Sequence, residues 1–243
     1  MTKEHAYHPS APLGIAVTLS AIAGFIDAHM YLHVSRVFVA NMSGNMIQLG
    51  MFAGLADWRR VAGAGGAIVA FLAGVVVATI HHDRQVRRGH PVQPGTLLLI
   101  ESLLVSGLMA LLAGLDVTIA EVRPVTYLAI AVGAFAMGLQ TMALRRVGAV
   151  AVATTYGTGT IVRVGEKLAL GARGADRGSE HRRRVTIAVL LTILVGYVAG
   201  AAGASALGAS PWFLLIVVVA LVVAAAALSS ANSASVQMVD DEG

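Results

Sequence analysis

From Leu13 to Leu228 the chain alternates apolar runs of about twenty residues with short polar or basic breaks. A helix rising about 1.5 Å per residue crosses a hydrocarbon core of about 30 Å with a run of that length. Six runs qualify: Leu13 to Leu32, Val61 to Ile80, Thr96 to Leu115, Pro124 to Leu144, Val185 to Leu207 and Pro211 to Leu228. Two further segments, Val37 to Leu55 and Val150 to Leu170, are apolar but studded with amides, hydroxyls and glycines. Their cores read FVANMSGNMIQLG and VATTYGTGTIVRVG, and polar groups in such number each need a partner once water is gone.

The two polar segments align. Gly24-Phe25-Ile26-Asp27 falls beside Gly138-Leu139-Gln140-Thr141, and Ser43-Gly44-Asn45 beside Thr158-Gly159-Thr160, with one inserted residue between the blocks. Downstream, Gly66-Ala70-Gly74 and Gly196-Gly200-Ala204-Gly208 are both ladders of small residues, which let helix backbones approach closely in lipid. The expectation is an all-α polytopic membrane protein of about six transmembrane helices plus two polar, re-entrant segments. It forms one membrane domain over residues 1–243, with repeats at 13–115 and 124–228.

Arginine and lysine positions discriminate between topologies. If the polar segments dip in and return, one side collects Lys3, Arg84, Arg87, Arg88, Arg145, Arg146, Arg163, Lys167, Arg173, Arg177, Arg182, Arg183 and Arg184, leaving Arg36, Arg59, Arg60 and Arg123 on the other, 13 against 4. If they cross, the division is 10 against 6 with Arg163 left in the membrane. Six spans are therefore expected, with both termini cytoplasmic and the second repeat inverted.

Composition agrees with this class. Of 243 residues, 57% are hydrophobic and 12% charged, too little charge to cover a soluble domain of this size. Mean hydropathy is +0.77. The net charge of +4 sits in short loops, which is the positive-inside pattern and not a nucleic-acid surface. With no cysteine there is no thiol nucleophile and no CxxC metal site. No serine, histidine and acid constellation and no phosphate loop stand out, so neither an enzyme nor a bound cofactor or metal is expected.

Candidate chemistry lies inside the spans. Asp27, in the first run, costs about 2.5–3.5 kcal/mol near a bilayer centre on insertion scales, and such residues face a cavity or a partner. It reads as a coupling or counter-ion carboxylate, or as a group paired with Arg36 or hydrogen-bonded to the polar segments. Glu101 reads as a second coupling carboxylate or as a partner of Arg163 or a loop arginine. Taken as helical, Asn41, Asn45 and Gln48 share one face, matched by Tyr156, Thr160 and Arg163. Taken as broken at Ser43-Gly44, the segment offers helix-start amides, which favour anions. A solute pathway through Asp27, Asn41, Ser43, Gly44, Asn45, Gln48, Glu101, Tyr156, Thr158, Gly159, Thr160 and Arg163 is one reading; helix glue is the other. His29 and His33 have metal-ligand spacing but no evident third ligand.

The residues GFIDAHMYL, FVANMSGNMIQLG, GLQTMALRR and TYGTGTIVRVG resemble the signatures of the YoaK family of uncharacterised bacterial inner-membrane proteins, over nearly the whole chain. The hydroxyl-Gly-Asn core of the family's first signature is Ser43-Gly44-Asn45 here. The resemblance implies six spans and an inner-membrane location, and it brings no established reaction. The expected function is a secondary-type permease or exporter of a small solute; the alternative is a non-transporting membrane protein whose basic loops engage anionic lipid or a partner complex. The glycine ladders suit a homo-oligomer as well as the monomer's own core.

Overall fold

The computed structural model describes residues 12–90, 92–114, 124–147, 150–151, 157–171 and 177–241. Eight α-helices carry the chain: α1 (Leu13–His29), continued by a π-helical turn (Met30–Ser35), α2 (Met42–Gly54), α3 (Trp58–Arg87), α4 (Pro94–Gly114), α5 (Pro124–Ala143), α6 (Gly157–Gly171), α7 (Arg177–Leu207) and α8 (Leu214–Asp241). Six of these are long and apolar enough to cross a membrane, and α2 and α6 are the two short ones. At about 1.5 Å per residue, the 13 residues of α2 and 15 of α6 fall well short of a 30 Å core. A two-rung antiparallel pair, Arg146 with Ala151 and Val147 with Val150, lies between α5 and α6.

Three helices run longer than hydropathy indicates, and one of them, α8, continues past Leu228 to Asp241. Residues 81–87 continue α3 instead of forming a loop, with Arg87 paired to Asp83 one turn earlier at 2.6 Å. Likewise α7 starts at Arg177, where Arg184 pairs with Glu180. Such charged turns, placed beyond the apolar run, end a helix by capping and pairing and not by loss of hydrophobicity.

The packing is pairwise. α1 packs most extensively on α7, α3 on α5, and α4 on α8, while α2 lies along α3 and α6 along α7. α1 and α5 form the interior: 61% of the apolar window of each is buried, against 22% for α7. The outward faces carry Val69, Leu72 and Val76 on α3, Leu103 on α4, Val195 and Val198 on α7 and Val219 and Val223 on α8, all exposed. In lipid such a surface needs no polar cover, and the protein interior is distinguished by small residues and shape.

Two crossings depend on missing side chains. A Cβ at Gly24 would run into the carbonyl of Tyr197, and one at Gly200 into the carbonyl of Ala21. At the second crossing, Gly138 meets Phe71 and Gly74 meets Phe135 in the same way. Contacts of Val17 with Gly196 and of Ala21 with Gly200 advance together, so α1 and α7 run parallel. Gly95, at the start of α4, instead meets Ala225 and Ser229 at the middle of α8, while α4 also touches the turn Pro211–Phe213 that precedes α8, so that pair is antiparallel.

Candidate functional site

The site is built by a chain reversal after α1. Arg36 adopts a left-handed conformation (φ 57°), and residues 37–41 run back alongside the helix they have just left. Asp27, 2% exposed, holds them there. Its Oδ1 accepts from the backbone N–H groups of Val39 (2.6 Å) and Ala40 (2.7 Å), and its Oδ2 from the N–H of Asn41 (3.0 Å) and the hydroxyl of Tyr197 on α7 (2.6 Å). Those donors lie on a non-helical stretch whose amides have no ladder partner, so the carboxyl supplies what secondary structure does not. Asp27 lies eight residues, about 12 Å, below the end of the π-helical turn at Ser35. The chain therefore runs back by about that amount before α2 begins at Met42.

Asn45, fully buried, fastens the descending stretch from the other flank. Its Nδ2 donates to the Phe38 carbonyl (2.6 Å) and its Oδ1 accepts from the Phe38 N–H (3.1 Å), imitating a strand pairing. Asn41 is the N-cap of α2, where its Oδ1 accepts from the Gly44 N–H (3.2 Å) and the Ser43 hydroxyl (2.8 Å). The helix break thus precedes Met42 and not Ser43-Gly44, and Asn41 does not share a helical face with Asn45. Gly44 is packed under the Phe38 ring, where a Cβ would lie 2.9 Å from it.

The beginnings of α2 and α6 face one cavity of ≈ 400 Å³, walled by Ala40, Asn41, Met42 and Ser43, by Gly157, Thr158 and Gly159, and by Tyr197. This size suits a small-molecule site. The lining offers an amide, three hydroxyls and the backbone of two helix starts; among the described residues no acidic or basic side chain lines it. Both helices direct their starts toward the cavity wall, and in α2 the Met42 and Gly44 N–H groups already donate to the Ala40 carbonyl and the Asn41 side chain.

Of the residues singled out in the sequence, Asn41, Ser43, Thr158 and Gly159 line this cavity. Asp27 stands directly behind it, bonded to Tyr197 and to the backbone of two lining residues. Gly44 and Asn45 lie beneath, and Thr160 is buried one residue past the lining of α6. Gln48 sits two turns into α2 with its Oε1 buried and without a hydrogen bond. Arg163 lies on the exposed side of α6, and Tyr156 is outside the described residues. Glu101 is elsewhere: 0% exposed within α4, with neither carboxyl oxygen hydrogen-bonded. Neither arginine suggested as a partner is one. Arg36 lies over the Tyr31 ring at 5.8 Å and not against Asp27, and no ion pair reaches Glu101 among the described residues. His29 and His33 rings are 5.3 Å apart, and the described residues hold no group of three metal-ligand side chains.

Sequence reading missed Tyr197. It sits in a plain apolar span, and the signal that marks it is its place in the small-residue ladder, one residue after Gly196 and three before Gly200.

The match to a known family spans residues 15–228, covering both polar segments and all six long helices up to Leu228. The chain belongs to the family described as "Protein of unknown function (DUF1275)". It is 31% identical, over 143 residues, to the UPF0700 transmembrane protein YoaK of Bacillus subtilis (strain 168). That alignment covers 59% of this chain and 61% of the relative, so the chain matches less than two thirds of that protein's length. No solved structure matches. The YoaK-family resemblance of the signatures is thus supported by the whole-chain family match and by this relative, and the protein is a multi-pass membrane protein.

Proposed function

We propose that this DUF1275 protein is a secondary-type transporter of a small polar solute in the bacterial cytoplasmic membrane, with both termini cytoplasmic. The observation that carries the reading is the cavity where the starts of α2 and α6 meet. Transporters commonly bind substrate between interrupted membrane segments, where unpaired backbone groups line a pocket. Hydroxyls, an amide and helix-start N–H groups suit a solute rich in hydrogen-bond acceptors, and the absence of an exposed acid in the lining disfavours a cation. Asp27 acts here as a positioning residue, holding Asn41 and Tyr197 in the wall. Glu101 is the group left for coupling to a proton.

The reading includes an inverted repeat. Gly24 meets Tyr197 as Gly138 meets Phe71, and Gly200 meets Ala21 as Gly74 meets Phe135. One constant offset carries Ala21 and Gly24 to Phe135 and Gly138, and another carries Phe71 and Gly74 to Tyr197 and Gly200. Exchange of contacts in this fashion is what a two-fold axis produces when three-helix halves interlock. The parallel α1 and α7 pair and the antiparallel α4 and α8 pair fit six spans with the second half upside down.

A second reading, structural glue, is favoured by one observation. Several buried polar side chains end on backbone: Asn45 on Phe38, Ser20 on Ile193 and Gln140 on Leu19. Proteoliposomes separate the two. Purified protein is screened by thermal shift against small metabolites, and hits are tested for uptake. A solute whose stabilisation and uptake are lost in Ser43→Leu or Thr158→Leu, which crowd the cavity, supports transport. No hit across a broad panel, with unaltered stability in both variants, removes the site.

A further inference from the structure

A second cavity, ≈ 350 Å³, lies at the opposite end of α3, walled by His81, Arg84, Gln85, Arg88, His90 and Gln93. It has no part in the transport reading. Its construction is specific. The Gln85 carbonyl accepts from the N–H groups of Arg88 (3.2 Å) and His90 (3.0 Å), and its side-chain Oε1 from the N–H of Gln93 (3.1 Å). Gly89, at φ 72°, allows the chain to double back over the last helical turn. His90 and Gln93 are thereby folded across the face bearing Arg84 and Arg88.

Among the described residues, nothing compensates the charges there. Asp83 pairs with Arg87, on another face, and no acidic residue lines the cavity. Neither Arg84 nor Arg88 has an ion pair among the described residues. The Nε2 of His81 is buried without a hydrogen-bond partner. The last α3 carbonyls, which would repel an anion, are already taken by loop N–H groups.

The site also continues a lipid-facing stripe. Val77 and Ile80, 48% and 45% exposed, lead along α3 directly to His81, Arg84 and Arg88 at helical spacing. This places guanidinium groups where acyl contact ends and headgroups begin.

We propose that this basic cavity binds a phosphate group, presented either by an anionic phospholipid lying along Val77 and Ile80 or by a soluble phosphate compound. Two arginine forks can take phosphate oxygens in paired hydrogen bonds, with His81 and His90 as further donors.

The test measures thermal unfolding of full-length protein in nanodiscs in two arms. In one, discs of phosphatidylcholine alone are compared with discs containing phosphatidylglycerol, without free phosphate. In the other, inorganic phosphate is titrated onto phosphatidylcholine discs. Arg84→Gln/Arg88→Gln is compared with wild type and with Arg182→Gln/Arg183→Gln, which removes equal charge from α7. A rise in Tm with phosphatidylglycerol, lost only in the first double variant, assigns a lipid headgroup. The same pattern with inorganic phosphate assigns a soluble ligand. The expected loss of two charge-assisted contacts is about tenfold or more in apparent affinity. Should Arg84→Gln/Arg88→Gln fold poorly, Arg84→Lys/Arg88→Lys serves instead, with retained charge, lost fork geometry and weakened binding expected. No stabilisation in either arm, or an equal loss in the α7 variant, overturns the proposal.

Discussion

Replacing Asp27 by asparagine alters one atom of the side chain and leaves its volume, so it isolates the carboxyl's role as acceptor. All four of its polar contacts are donors: three backbone N–H groups and the Tyr197 hydroxyl. The amide oxygen of Asp27→Asn can keep Val39 and Ala40. Its NH₂ then faces the Asn41 N–H, and Tyr197 can turn to accept from it, so one buried backbone donor loses its partner. That costs about 1–3 kcal/mol. Asp27→Ala strands three N–H groups and costs about 3 kcal/mol at the least, while Tyr197→Phe deletes one bond without orphaning a donor and costs about 0.5–1.5 kcal/mol. The order of destabilisation should be Asp27→Ala, then Asp27→Asn, then Tyr197→Phe.

Because the bonds fasten residues 39–41 specifically, the loss should appear there before it appears globally. Ala40→Cys, at a position 2% exposed, reports it through labelling with a water-soluble maleimide. With opening at equilibrium, 1–3 kcal/mol raises the labelling rate roughly fivefold to a hundredfold in the Asp27→Asn background. A wild-type labelling rate together with an unchanged Tm would refute the claim that Asp27 anchors the reversal.

Further outcomes follow from other contacts. Gly200→Val, which drives a branched side chain into the Ala21 carbonyl, should prevent stable assembly or lower Tm strongly, whereas Gly50→Val, with open space around it, should leave Tm nearly unaltered; equal effects would contradict the parallel α1 and α7 crossing. Leu55→Cys should label from outside intact cells and Arg88→Cys should not, and labelling of both from one side would exclude six spans. Glu101→Gln, which keeps shape and removes the titrating group at a site with no hydrogen bond, should leave stability within about 1 kcal/mol of wild type or raise it, while abolishing dependence of uptake on a pH gradient; retained dependence would remove Glu101 from coupling.

Hydrophobic run length gave the six long helices, since a bilayer leaves the backbone few alternatives to a continuous helix. It misjudged the ends of α3, α7 and α8: Asp83 with Arg87 and Glu180 with Arg184 extend the first two, and α8 runs on past Leu228. Polar residues in the apolar segment located the reversal, but not its mechanism. Asp27 stands out in the sequence as an acid that needs either Arg36 or the polar segments as its partner, and it is the first polar segment that it holds. Its actual partners are mostly main-chain N–H groups, which every residue but proline carries and no sequence marks. Tyr197 remained hidden because an aromatic residue in an apolar helix is ordinary; only the fold places its hydroxyl 2.6 Å from Asp27.

The same offsets that align the two halves also show where they part. Under them Asp27 corresponds to Thr141 and Tyr197 to Phe71, so the carboxyl and phenol that lock the reversal after α1 are absent from the aligned positions. Thr141 instead bonds back to the Met137 carbonyl of its own helix at 2.8 Å. Backbone crossings are duplicated because both halves need close helix contact, and glycine supplies it at either place. The carboxyl lock is a local device and is not required by packing. One wall of the cavity is pinned through Asp27 and Tyr197, a pair that close helix packing alone does not call for.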